Sequence, residues 1–158
     1  QKGTHQDPLT LDGVKYGILI CYEDVLTDFV RDAMDHEPDV LINITNDAWF
    51  GKSREPHIHL ALSVFRAVEQ RRFLVRSTNT GVSAIIGPGG RIIDPTPVFQ
   101  TANRVGEVAP LDGTTVYQRL GHWFPWLCLL TIVFWSREGL KNLFYGFTRG
   151  WAARSKSA

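Results

Sequence analysis

Little in this chain can be stapled by cysteine. Only two are present, Cys21 and Cys128, one before a polar cluster and the other inside an apolar run. A disulfide scaffold is excluded, because cross-linked small domains carry more cysteines in a shorter chain. A bridge between these two is not expected, so they do not report the redox compartment. An excess of one charge is missing as well. The 17 basic and 16 acidic residues leave a formal net charge of +1, and no global field recruits nucleic acid. Low-complexity tracts and repeats at solenoid periods are absent. Metal-ligand spacing is absent too: His57 and His59 cannot share a helix face, and no third ligand stands at a useful distance. No metal and no cofactor are therefore expected. The chain opens on Gln1 rather than Met, in a polar stretch without a signal-peptide pattern. It reads as the C-terminal portion of something longer.

What is present is a globular composition, 44% hydrophobic over 158 residues, enough for one core and an appendage. Residues 1–13 read as loop, ending in the Asp12-Gly13 turn signal. Val14 to Cys21 reads as a strand and Leu26 to His36 as a helix, with Leu26, Phe29, Val30, Ala33 and Met34 on one face. Val40 to Ile44 is a second buried strand, followed by the polar-aromatic loop Thr45 to Gly51. A longer amphipathic helix is expected from His57 to Arg72, with Pro56 in its first turn and Leu60, Ala61, Val64, Phe65 and Val68 as its buried stripe. Strands follow at 73–75 and 82–86, the latter in a hairpin with 91–93 across Pro88-Gly89-Gly90, and a last strand is expected at Arg104–Val108. Strands alternating with helices indicate an α/β layer, which places the first domain at 1–110.

Residues 111–121 read as a connector. Beyond them, no formally charged side chain occurs in the 17 residues from Leu120 to Ser136. A spanning helix needs about 20 apolar residues, and roughly 17 is the lower bound. Tryptophans at both ends suit the two membrane interfaces, so a transmembrane helix is expected at 122–136, with a buried core helix as the alternative. Residues 137–158 carry five basic side chains against one acid, a balance of +4, while the rest of the chain balances at −3. A basic tail after a spanning helix belongs in the cytoplasm, which puts the folded domain on the outer side.

The chemistry centres on Gly17-Ile18-Leu19-Ile20-Cys21-Tyr22-Glu23-Asp24, an apolar run that breaks into a thiol, an aromatic and two carboxylates. The C-terminal end of such a strand is where α/β proteins place ligands. A free thiol has a pKa of about 8.5, so a nucleophilic cysteine needs a base or a cation beside it. In an extended strand Glu23 shares the face of Cys21. It could assist a base or orient an amine, but its charge opposes the thiolate. Lys15 is too far down the strand to be the cation. An ordinary buried cysteine is the competing reading.

Gly-Ile-Leu-Ile-Cys-Tyr-Glu at 17–23 resembles the nucleophile strand of the nitrilase, or carbon–nitrogen hydrolase, superfamily. With Ile44-Thr45-Asn46-Asp47-Ala48-Trp49-Phe50-Gly51, Arg66-Ala67-Val68-Glu69 and Arg76-Ser77-Thr78-Asn79-Thr80-Gly81-Val82-Ser83, it is similar to the membrane-bound branch of that superfamily, the apolipoprotein N-acyltransferases. The resemblance runs from about Pro8 to residue 136. It implies an α/β fold, an α-β-β-α sandwich present in part, and a Glu-Lys-Cys triad with Cys21 as the nucleophile. Tyr22 and Glu23 match supporting positions. The triad Glu and Lys are expected upstream, since Lys2 and Lys15 are too near Cys21 for the family spacing. The implied donor is a phospholipid, typically phosphatidylethanolamine, and the acceptor is the N-terminal amine of diacylglyceryl-cysteine on an apolipoprotein. The implied location is a bacterial inner membrane, multi-pass in the full-length protein, with the catalytic domain periplasmic.

Trp49 and Phe50 are expected to line the acyl pocket, with core plugging as the alternative. Asn46 and Asp47 share the substrate-binding loop and hold it by side-chain-to-backbone bonds. Arg66 and Glu69 lie one turn apart and are expected to pair. Two other functions fit parts of the sequence: a soluble nitrilase-type amidase, against which segment 120–136 argues, and a membrane-tethered binding domain whose cysteine is merely buried.

Overall fold

A computed structural model of the chain describes residues 6–137. It divides into two compact units, residues 1–119 and 120–158.

The first unit is one six-stranded sheet, with β1 (Leu9–Leu11), β2 (Val14–Ile20), β3 (Val40–Thr45), β4 (Phe73–Thr78), β5 (Ala84–Ile86) and β6 (Ile92–Ile93) side by side in chain order. β2, β3 and β4 are parallel, and the flanking pairs are antiparallel. The parallel strands are linked by α1 (Thr27–Ala33), which runs on as a 3-10 turn to His36, and by α2 (Glu55–Gln70). The α/β layer and the β5–β6 hairpin agree with the sequence reading. In the hairpin turn the Gly87 amide donates to the Arg91 carbonyl at 2.9 Å.

The core lies between the sheet and its two helices. Leu19, Leu41, Leu74 and Ile86 on the sheet meet Val30 within α1, Met34 just past its end, and Leu60 and Ala67 from α2. The stripe expected on α2 is corrected: Leu60 is buried and Val64 partly so, but Ala61, Phe65 and Val68 are exposed. The face turned to the sheet carries His59, Ser63, Arg66 and Gln70 instead. Counting apolar residues picks the wrong side here, because this helix covers a polar patch at the end of the sheet. Arg66 and Glu69 do pair, at 3.0 Å. Arg72, just past the helix, is buried and donates to the carbonyls of Pro38, Asp112 and Gly113. Burial pulls its guanidinium below the ordinary arginine value, opposed by Asp39 and Asp112.

The opposite face of the sheet is apolar but open. By register Ile18, Ile42 and Val75 lie in one row there, and Ile20, Ile44 and Ser77 in the next. Ile20 is 62% exposed and Ile44 54%. Parallel strands are rarely left bare on one side. Of the expected α-β-β-α sandwich, the described residues form one helix layer and one sheet.

The expected strand at Arg104–Val108 does not form; residues 101–115 have no regular secondary structure. A strand needs a neighbour for its ladder, and among the described residues none pairs with it. Gly106 rests on β5 so closely that a Cβ there would come within 2.5 Å of Ile85 Cδ1. A short helix α3 (Val116–Leu120) follows, begun by a reciprocal cap in which Thr115 and Gln118 each bond the other's amide.

In the second unit, residues 123–137 are helical with exposed apolar side chains, including Trp123, Trp126, Ile132, Phe134 and Trp135. Among the described residues no helix is long and apolar enough to cross a membrane. The basic tail expected at 137–158 falls outside the described residues except for Arg137.

Candidate active site

β2 ends at Ile20, one residue earlier than expected, and Cys21 opens a 3-10 turn, Cys21–Asp24. Its φ of +55° is left-handed, a conformation that costs a non-glycine residue about 1–3 kcal/mol and survives only where the surroundings enforce it. The thiol residue is half-buried at the C-terminal lip of the parallel strands. This agrees with the expected location but corrects the face argument for Glu23. Because the chain turns at Cys21, Glu23 is not its strand neighbour. Its carboxylate folds back to accept the Ile20 amide at 2.7 Å and closes the turn.

The residues under this turn form a buried ionic cluster. Arg76 on β4, almost fully buried, donates through Nη1 to Asp24 Oδ2 at 2.7 Å, Asn43 Oδ1 at 2.8 Å and Ser63 Oγ at 2.9 Å. Its Nη2 reaches Asp47 Oδ2 at 3.2 Å. His59 on α2 sits between the same carboxylates, with Nε2 2.9 Å from Asp24 Oδ1 and Nδ1 3.0 Å from Asp47 Oδ1. Ser63 also donates to Asp24 Oδ2. Both aspartates have no exposed surface. An unpaired buried carboxylate is very costly, so the charges must balance internally. Arg76 supplies positive charge to both aspartates, and His59 bridges them with one ring nitrogen toward each. Tyr22 and Phe50 flank the imidazole, each with its ring centroid 6.2 Å away. Among the described residues no group of three or more His, Cys, Asp or Glu is placed to hold a metal ion; Arg76 is the cation of this cluster.

The loop after β3 is tied to the turn after β4. Asn46 Oδ1 accepts the Ala48 amide at 3.0 Å and the Asn79 side chain at 2.7 Å, while Asn79 Oδ1 accepts the Asp47 amide at 3.1 Å. Asn46 therefore performs the turn-holding role expected of it. Asp47 turns inward, with Oδ1 on His59 and Oδ2 on Arg76. Gly81 packs on it so tightly that a Cβ would lie 2.0 Å from Asp47 Oδ2. The loop carries Trp49 83% exposed and Phe50 half-buried, so Trp49 plugs no core among the described residues. Gly51 closes it at φ +54°, ψ −153°, a region open essentially to glycine alone.

Sequence reasoning brought Cys21, Tyr22, Glu23 and the 46–50 loop to one end of the sheet, and the structure places all of them there. It gave no site role to Asp24, Asn43, His59, Ser63 or Arg76. The signal was available: Asn43 and Arg76 each follow three apolar residues in their strands, and His59, Ser63, Arg66 and Gln70 repeat at helical spacing.

A family model described as carbon-nitrogen hydrolase matches residues 1–108. Among curated proteins, the chain is similar to an apolipoprotein N-acyltransferase from Geobacter metallireducens, 44% identical over 115 residues, covering 73% of this chain and 22% of that protein. It is also similar to one from Vibrio vulnificus, 34% identical over 139 residues, covering 87% and 28%. The chain thus spans only 22% to 28% of the length of these relatives. Among solved structures, a glutamine-dependent NAD+ synthetase from Acinetobacter baumannii aligns with a TM-score of 0.59 at 19% identity, over 72% of this chain and 25% of that one. A carbon-nitrogen hydrolase from Helicobacter pylori G27 aligns with a TM-score of 0.52 at 14% identity, over 60% and 40%. At such identities these structures speak to fold alone. A half-buried cysteine in a strained turn at the lip of a parallel sheet, within a sequence that matches the family along its first 108 residues, makes this chain a member of the carbon-nitrogen hydrolase family.

Proposed function

We propose that the protein carrying this chain is an N-acyltransferase that moves a fatty acyl group from a membrane phospholipid, through a thioester on Cys21, to the N-terminal amine of an apolipoprotein. The observation that carries the reading is the strained, half-buried Cys21 at the sheet's lip, in a chain whose curated relatives bear the name apolipoprotein N-acyltransferase. Cys21 Sγ attacks the ester carbonyl, its C–O bond breaks, and the lysophospholipid leaves with a proton. The amine then attacks the thioester carbonyl, an amide forms, and Sγ leaves as the thiol. Splitting the transfer this way replaces one difficult step by two easier ones. A Glu general base and an oxyanion-holding Lys, expected upstream of Gln1, supply the proton transfers and the positive charge. Trp49, Phe50 and Asn46 border the acyl groove, and Tyr22 and Glu23 support the turn.

The helix at 123–137 supports a membrane setting through its exposed apolar side chains. At about 1.5 Å per residue, residues 123–137 reach about 22 Å, short of the ~30 Å hydrocarbon core. Crossing at 122–136 therefore needs helix beyond that range. The periplasmic side for the domain, the cytoplasmic side for the tail and a bacterial inner membrane belong to the same proposal. Phosphatidylethanolamine is the donor to try first.

The test is mass spectrometry of the full-length protein after incubation with phosphatidylethanolamine vesicles. The expected result is an acyl adduct on the Cys21 peptide that hydroxylamine removes, and no such adduct in Cys21→Ser. A hydroxylamine-labile adduct that persists in Cys21→Ser overturns the assignment.

A further inference from the structure

We infer that Asn43 and Arg76 are positioning residues for Cys21, holding the nucleophile turn at both of its ends. The inference rests on the reading of Cys21 as the acylated thiol. Asn43 lies on β3, fully buried, and its side-chain amide donates to the carbonyls of Leu19 at 3.3 Å and Cys21 at 3.1 Å. A side-chain NH2 has two hydrogens, so both are committed to the backbone that bends at Cys21. The amide cannot be turned over. Its oxygen faces Arg76 Nη1 at 2.8 Å, and a flip would set donors against the guanidinium and an oxygen against two carbonyls. Arg76 therefore fixes the orientation of Asn43, and Asn43 fixes the carbonyl of Cys21.

The same Nη1 donates at 2.7 Å to Asp24, the last residue of the turn that Cys21 begins. One guanidinium thus holds the turn through Asn43 at its start and directly at its finish, while Nη2 holds Asp47 at the head of the aromatic loop. A lysine could not do this, because a single ammonium lacks the planar fork that reaches both carboxylates. The left-handed φ at Cys21 is the kind of conformation that relaxes once its restraints are cut. A displacement of about 1 Å at a reacting atom costs on the order of 100-fold in rate. Neither residue touches substrate; both act through the backbone of Cys21.

The experiment uses the full-length protein in detergent with Asn43→Leu, Arg76→Lys and, as a control for lost stability, Leu41→Ala in the apolar part of the same strand. Two rates are read on the folded protein: alkylation of the Cys21 peptide by iodoacetamide, and single-turnover acyl-thioester formation from phosphatidylethanolamine. Asn43→Leu is expected to lower the maximal acylation rate by about 100-fold with an unchanged half-saturating lipid concentration, and to slow alkylation in parallel. Arg76→Lys shifts both rates in the same direction. Leu41→Ala lowers the melting temperature and leaves both rates at the wild-type level. Asn43→Leu introduces no buried charge, so it decides the matter if Arg76→Lys does not fold. Wild-type rates in Asn43→Leu, or an equal slowing by Leu41→Ala, overturn the inference. Slowed alkylation in Asn43→Leu, in a protein whose wild type takes no acyl group from lipid, upholds the positioning role and refutes the acyltransferase reading instead.

Discussion

Two neighbouring rows on the helix-covered face of the sheet are equally buried and chemically opposite. In the first, Leu41 faces Leu74 and Leu74 faces Ile86 across the strands, all without exposed surface. In the second, two residues further along, Leu19 faces Asn43, Asn43 faces Arg76, and Arg76 faces Ala84. The first row is held by loss of apolar surface to water, a non-directional gain. The second is held by directional bonds, and buried ion pairs of this kind yield little or no net stability over an apolar filling. What they provide is position. The change from one chemistry to the other occurs within one pleat, on the side where the parallel strands end and Cys21 begins. Burial by itself therefore does not separate core from site in this molecule; the direction of the restraint does.

The rows can be broken separately by denaturant unfolding. Arg76→Leu strips Asp24 and Asp47 of the guanidinium they share in a closed interior, and is expected to cost about 3–5 kcal/mol. Leu41→Ala opens a cavity in the apolar row and is expected to cost about 2–5 kcal/mol, without altering Cys21 alkylation. A near-neutral Arg76→Leu would show that the ionic row is not closed to water, and the contrast between the rows would fail. Gly81→Ala probes the ionic row from outside. Its methyl would overlap Asp47, which is pinned by Arg76 and His59 and cannot move aside, so a loss of about 1–3 kcal/mol is expected. The same substitution in an apolar surround would be absorbed by repacking.

The apolar row was legible in the sequence and the ionic one was not, for a physical reason. Val40-Leu41-Ile42 and Phe73-Leu74-Val75 read as strands because hydrophobic burial follows from composition and period. The Cys21 turn was found at the end of such a run by its change in character. Asn43, His59 and Arg76 draw their roles from partners 12 to 52 residues away, and no local pattern encodes that. The stripe on α2 failed for the same cause: Phe65 and Val68 looked like the inner side only because the sheet beneath was assumed to be apolar. The strand expected at Arg104–Val108 had suitable residues but no neighbour among the described ones.

A smaller effect sharpens the comparison at the far end of α2. Arg71 has nearly the same left-handed φ as Cys21, +53° against +55°. At Arg71 the conformation is an ordinary helix end, where the residue is exposed and its amide donates to Ala67 and Val68 carbonyls. Glycine suits that position. Arg71→Gly removes a steric cost of about 1–2 kcal/mol and adds about 0.5–1 kcal/mol of unfolded-chain entropy, so a net gain of roughly 0.5–1 kcal/mol is expected from these two terms. Alkylation of Cys21 should not change. The strain at Cys21 has a different origin, because Asn43 and Asp24 hold that turn from both ends. Cutting the restraint with Asn43→Leu should therefore change the thiol's reactivity, whereas relieving the same angle at Arg71 changes only the unfolding midpoint. Equal effects of the two substitutions on alkylation would mean that the geometry of Cys21 is a generic end-of-element conformation and not one imposed by the ionic row.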